Sequence, residues 1–213
     1  MENLESITEV IRLEFESKNE ARDKALAESR ILIRHCASTI RAVHRKVWDE
    51  AESGLATIKE SGKALTDGLE EYPDLFNAGY TQDALKELVE AYITYALVRG
   101  ESLPTPDDLN VPGSTYLNGL CEAASELRRS ILDIIRQGHS DEAERLLDQM
   151  DQIYNLLMAF NFADAITGGL RRRVDSLRGV LERTRGDLTN SLRQERLQMA
   201  MSQLEERLAQ LDS

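Results

Sequence analysis

The sequence predicts an all-α protein, and three observations carry that prediction. Apolar residues recur at helical spacing along most of the chain. Ala, Leu, Glu and Arg, all strong helix formers, dominate the composition. Proline occurs four times and aromatic residues make up 5%, which is thin for a sheet protein. With 213 residues, 41% of them hydrophobic, the chain can bury one sizeable core, and a single α-helical domain over 1–213 is expected.

Leu4, Ile7, Val10, Ile11 and Leu13 open a helical pattern that continues from about 19 to 52 through Leu26, Ile31, Ile33, Ile40, Val43, Val47 and Trp48. A shorter helix is expected to about Leu69. Tyr72-Pro73 breaks the chain, since the residue before proline is pushed out of the α region. The next helix covers 81–99. Gly100 to Gly113 holds Pro104, Pro106 and Pro112 and reads as a loop, with Ser114 or Thr115 capping a helix that ends at Gln137-Gly138. His139 falls at a helix junction, and Ser140 begins a helix to Phe160 with Asp141, Glu142 and Glu144 in its first turn. A final helix runs from about Asp164. Its Leu197, Leu204 and Leu211 stand in heptad spacing with Met201 and Leu208 between, a stripe suited to self-association.

A net charge of −12 and a pI near 4.8 exclude indiscriminate attraction to nucleic acid or anionic membrane, so any polyanion must bind locally. Cys36 and Cys121 lack metal-ligand or redox spacing and sit in apolar helical patterns, as core thiols do. The acidic N-terminus and the absence of eighteen consecutive apolar residues point to a cytoplasmic chain with no membrane span.

Within 165–189 cations stand at helical spacing in this acidic chain. Arg171, Arg178 and Arg185 are seven residues apart and fall near one face, while Gly179 and Gly186 repeat at the same interval and suit close helix packing. Guanidinium forks match phosphate oxygens and stack on bases, which makes this segment a candidate for RNA or DNA. Asp175, Glu182 and Asp187 lie four residues from Arg171, Arg178 and Arg183, so a salt-bridged face is the competing explanation. A second basic patch surrounds His35 and His44, with Arg34, Arg41 and Arg45.

The helix 81–99 is apolar nearly all round except for a stripe of Asp83, Glu87, Glu90 and Thr94. On the following helix Glu122 and Glu126 stand one turn apart, opposite Leu120, Cys121, Ala124, Leu127 and Ile131, and periodicity alone faces them to water. Two acid pairs meeting across an antiparallel contact make an oxygen-rich nest for Mg²⁺ or Mn²⁺ that can activate water against a phosphodiester; solvated acid pairs are the ordinary alternative. The Glu-x-x-His pattern of di-iron bundles is absent, Gly168-Gly169 lacks the rest of a phosphate loop, and no nucleophile stands in a recognisable Ser or Cys pattern.

Residues 72–91, from Tyr72-Pro73-Asp-Leu-Phe onward, together with 116–127 and the stretch from Leu170-Arg-Arg-Arg to Asp187, resemble the translin family, which comprises translin and translin-associated factor X, and its archaeal members above all. The resemblance covers most of the chain. It implies an all-α fold of about seven helices in an elongated bundle, and a homo- or hetero-oligomer, commonly an octamer, whose hollow interior binds single-stranded RNA or DNA. In the X-type subunits a Glu-x-x-Glu pair and an Asp-x-x-x-Glu pair support Mg²⁺-dependent endoribonuclease activity, and Glu87, Glu90, Glu122 and Glu126 match them. They are the expected catalytic and metal-holding residues. Glu122 stands where that pattern has aspartate, which lengthens the reach by one methylene. Arg34, His35, Arg41, Arg45, Arg171, Arg172, Arg178 and Arg185 are the expected nucleic-acid contacts. A non-catalytic single-strand binder of translin type is the alternative.

Overall fold

The computed structural model describes residues 2–138 and 141–211, and every regular element among them is a helix. Six are long: α1 (Glu2–His44), α2 (Trp48–Asp67), α4 (Gly79–Arg99), α6 (Gly113–Arg136), α7 (Asp141–Leu157) and α9 (Leu170–Leu211). Three are single turns, α3 (Pro73–Phe76), α5 (Pro106–Leu109) and α8 (Asp164–Thr167). The expectation of about seven helices thus becomes six plus three turns. His139 and Ser140, read as a helix junction and a helix start, lie outside the described residues.

Boundaries move where local backbone chemistry outweighs apolar periodicity. The first long helix ends at His44 and not near 52, because Lys46 adopts a left-handed conformation (φ 56°) and turns the chain back into α2. The predicted loop 100–113 carries α5, opened by a capping box in which the Thr105 hydroxyl accepts from the Asp108 backbone N–H and the Asp108 carboxylate accepts in return. α6 begins after Pro112 without a side-chain cap, and the Thr115 hydroxyl donates to Gln82 instead. Gly168 and Gly169, both at positive φ, separate α8 from α9.

One apolar cluster runs through the protein, with Leu32, Val89, Ile93, Leu127, Ile131 and Leu146 among its fully buried members. α4 lies at its centre, buried on most sides, as its nearly unbroken apolar sequence requires. α6 runs in the same sense as α4: Gln82 meets Thr115, and Lys86 meets Gly119 and then Glu122. The antiparallel contact expected from sequence is therefore absent. The loop after α4 returns along that helix, bringing Leu109 beside Leu85 and Leu88, so α6 starts from the same end. A Cβ on Gly119 would lie 2.6 Å from the Val89 side chain and 2.8 Å from the Lys86 carbonyl, so only glycine lets the two backbones come this close.

Among the described residues Gly179 and Gly186 do not serve helix packing. A Cβ at Gly179 would meet only the Arg183 guanidinium, and one at Gly186 nothing within 4 Å. At both chain ends the long helices leave the core. Leu4, Ile7, Ile11 and Phe15 on α1, and Leu197, Met201, Leu204 and Leu208 on α9, are exposed. No helix among the described residues is long and apolar enough to cross a membrane.

Candidate metal centre and nucleic-acid face

Glu87 and Glu90 leave α4 on its one polar stripe, an i, i+3 pair on the same helical face. Glu122 comes from α6, one turn beyond the Gly119 contact. Carboxylate oxygens of these three residues lie within 4.8 Å of one another, and all three side chains are half-buried. Asp83, on the same stripe, is exposed, whereas Thr94 is fully buried with its hydroxyl unpartnered among the described residues.

The three acids differ in their partners. Among the described residues no ion pair or hydrogen bond reaches Glu90. Burial pushes its carboxyl up to about 8, with the charges of Glu87, Glu122 and Glu126 adding to the rise and Lys86 partly offsetting it. Glu122 is held by two cations: Lys86 Nζ at 2.8 Å and Arg173 Nε at 2.8 Å. Lys86 also reaches Glu87 at 3.3 Å. Burial alone would lower the Lys86 ammonium, but Glu122 and Glu87 outweigh it and keep the group above its ordinary value.

Glu126, the fourth expected acid, adjoins the group of three but is engaged separately. His44 Nε2 lies 2.6 Å from Glu126 Oε1, and His44 Nδ1 is 3.2 Å from the Ser130 hydroxyl. The imidazole is 1% exposed. This hydrogen bond, outweighing burial, holds the Glu126 carboxyl below its ordinary value. His44 is therefore a buried partner of an acid and not part of a surface patch, and Glu122 and Glu126 face enclosed neighbours where periodicity faced them to bulk water.

An oxygen-only set of three carboxylates, one of them without a partner among the described residues, fits a hard divalent cation. Cys36 and Cys121 take no part. Both are free and buried, and burial pushes both thiols up.

The expected nucleic-acid residues divide into three groups. Arg34, Arg41, Arg171 and Arg172 are exposed and make no ion pair among the described residues. Arg45, Arg178 and Arg185 are exposed but paired, with Glu50 at 2.6 Å, Glu182 at 3.0 Å and Asp151 at 2.6 Å. His35 is half-buried against the Ser61 hydroxyl at 3.2 Å. Asp187 pairs with Arg128 at 2.8 Å in place of Arg183.

No family model matches the chain. An uncharacterized protein of Methanocaldococcus jannaschii is 30% identical over 196 residues, covering 91% of this chain and 86% of that protein. The solved structure of AfC3PO, an archaeal C3PO of the translin family, is 33% identical and superposes with a TM-score of 0.80 over 86% of this chain and 95% of that one. The chain belongs to the translin family. A structure of AfC3PO in complex with duplex RNA matches this translin-family chain at a TM-score of 0.75, with the same identity and coverage. The translin fold persists at lower identity: apo-NeC3PO, from Nematostella, is 18% identical with a TM-score of 0.78 over 86% of this chain and 96% of that one.

Three groups at the centre of this translin-family chain escaped the sequence reading: Lys86, Arg173 and the role of His44. For Arg173 a signal existed. Leu170, Val174 and Leu177 mark the buried face of α9, and residue 173 flanks that face while Arg171 and Arg172 point away. Lys86 and His44 carried none, because their partners lie 36 and 82 residues away.

Proposed function

We propose that this chain acts as a homo-oligomeric, Mg²⁺-dependent endoribonuclease on single-stranded RNA. The observation that carries the reading is the convergence of Glu87, Glu90 and Glu122 from two helices, with no ion pair or hydrogen bond to Glu90 among the described residues. The likeness to AfC3PO, solved with duplex RNA, supports RNA as the ligand. Single-stranded DNA is a second ligand of the same chemistry, and a cytoplasmic octamer is the form the family implies.

Glu87, Glu90 and Glu122 would hold Mg²⁺, with Mn²⁺ as a substitute. Bound there, the ion would supply Lewis-acid activation of water and neutralise charge developing on the phosphodiester. Glu126, kept ionised by His44, accepts a hydrogen bond from the incoming water and orients it toward phosphorus. Arg34, Arg41, Arg171 and Arg172, exposed and without an ion pair among the described residues, grip backbone phosphates. The exposed apolar stripes at the two ends of the chain supply contacts between copies.

The test is incubation of end-labelled RNA, single-stranded and as duplex, with the purified oligomer in Mg²⁺ and in EDTA. Mg²⁺-dependent cutting of the single strand, lost in Glu90→Gln and Glu122→Gln with RNA binding retained, is the expected result. Equal cutting of duplex removes the strand preference. A non-catalytic binder is the second reading, favoured by the two cations that already neutralise Glu122. Its signature is a mobility shift with RNA intact in Mg²⁺.

A further inference from the structure

The acid cluster already contains a cation. Lys86 Nζ lies 2.9 Å from Oε1 and 2.8 Å from Oε2 of Glu122, and 3.3 Å from Oε1 of Glu87. Its side chain is only 12% exposed. The ammonium thus contacts two of the three carboxylates whose oxygens gather within 4.8 Å. A divalent ion bound to those oxygens at about 2.1 Å would stand within a few ångström of the ammonium, where like charges repel strongly in a half-buried setting.

The second cation of the cluster is placed differently. Arg173 reaches Glu122 through Nε, while its NH1 donates to the Asn118 side-chain oxygen and to the Gly168 carbonyl, both at 3.1 Å. Those two bonds anchor its guanidinium whatever Glu122 does. Lys86 has no such anchor among the described residues, since its contacts are the carboxylates themselves, and its four-carbon stem can carry the ammonium aside. With all three acids ionised, as ligation of a metal requires, the cluster carries −1 while both cations are in place and −2 once Lys86 is withdrawn, which matches a divalent ion.

We propose that Lys86 is the displaceable counter-ion of this site: its ammonium holds Glu87 and Glu122 together in the metal-free protein, competes with a divalent cation for them, and thereby sets metal affinity. The inference rests on the reading of the acid cluster as a metal centre and concerns a positioning residue, not a catalytic one. Gly119 is part of the arrangement, because the close approach of α6 it permits at the Lys86 carbonyl brings Glu122 within reach of the ammonium.

The experiment is a Mn²⁺ titration of the full-length oligomer without RNA, with free ion followed by electron paramagnetic resonance, for wild type, Lys86→Met, Lys86→Gln and Glu122→Gln. Circular dichroism and light scattering establish that each variant keeps its fold and size. Either lysine variant should bind Mn²⁺ at least about tenfold more tightly than wild type, as removal of one nearby positive charge requires. Affinity that is unchanged or weaker in a folded lysine variant overturns the proposal while leaving the metal centre standing. No binding by any form, wild type included, overturns both. A second readout uses wild type alone: amine-directed acylation of Lys86, mapped by mass spectrometry, should run several-fold faster in saturating Mg²⁺, and equal rates with and without Mg²⁺ overturn the displacement.

Discussion

Replacing Glu90 with glutamine removes a carboxylate that the fold holds against its own charge. In the folded protein this group titrates near 8 in place of its ordinary 4.5, because burial and three neighbouring acids disfavour its ionised form. A carboxyl raised in this way stabilises the fold fully below its unfolded value, and that contribution is lost as pH rises through the folded one. Each decade of pH in that interval costs about 1.4 kcal/mol, so the ceiling is about 5 kcal/mol above pH 8. Solvent reaches part of the Glu90 side chain and screens the neighbouring charges, which reduces the expected effect to about 1–3 kcal/mol. Glutamine keeps the shape and carries no charge at any pH. Urea unfolding in EDTA, at fixed protomer concentration from pH 5 to pH 8.5, should give near-equal stabilities at the acid end. The variant should gain on wild type by about 1–3 kcal/mol at the alkaline end. Added Mg²⁺ at pH 8.5 should restore wild type and leave the variant unchanged. A gap that does not vary with pH, or a wild type that gains stability through the interval, refutes the assignment of Glu90 as an acid held against its own charge.

His44→Gln loses the 2.6 Å bond to Glu126 and should cost about 1–3 kcal/mol at pH 7 by urea unfolding. Because the Glu126 carboxyl is held low by His44, that stabilisation is present above its unfolded value, and the gap to wild type should close as pH falls through the folded one. Gly119→Ala forces a methyl against Val89 and the Lys86 carbonyl and should destabilise by about 1–3 kcal/mol, whereas Gly186→Ala meets open space and should stabilise α9 by about 0.5–1 kcal/mol; thermal melts of the two variants check both signs. Replacing Arg171 and Arg172 together with Ala should weaken single-stranded RNA binding and flatten its salt dependence, with slopes of log affinity against log salt as the readout.

Much of the helical framework was legible because it rests on local chemistry. The apolar circumference of 81–99, the break at Tyr72-Pro73 and the end of α6 at Gln137-Gly138 all follow from periodicity, proline and glycine. The end of α1 was not legible, since Val47 and Trp48 continue the apolar pattern across the left-handed Lys46 that breaks the helix. The direction of α6 depends on where the thirteen or so loop residues travel, and nothing in their composition sends them back along α4. In the site, Glu87 and Glu90 were visible as a polar stripe on a buried helix. Their meeting with Glu122, the clasp of Lys86 and Arg173, and the burial of His44 on Glu126 are tertiary juxtapositions. The periodicity that sent Glu122 and Glu126 to water described α6 alone, and α1, α4 and α9 enclose that face.

A Mn²⁺-soaked crystal of the wild-type oligomer tests the metal centre most directly. An anomalous peak at about 2.2 Å from oxygens of Glu87, Glu90 and Glu122, with Lys86 swung away and Glu126 still on His44, is the expected result. A site left empty at saturating Mn²⁺, with Lys86 still seated between Glu87 and Glu122, contradicts it and leaves the cluster a salt-bridge network in an RNA-binding protein.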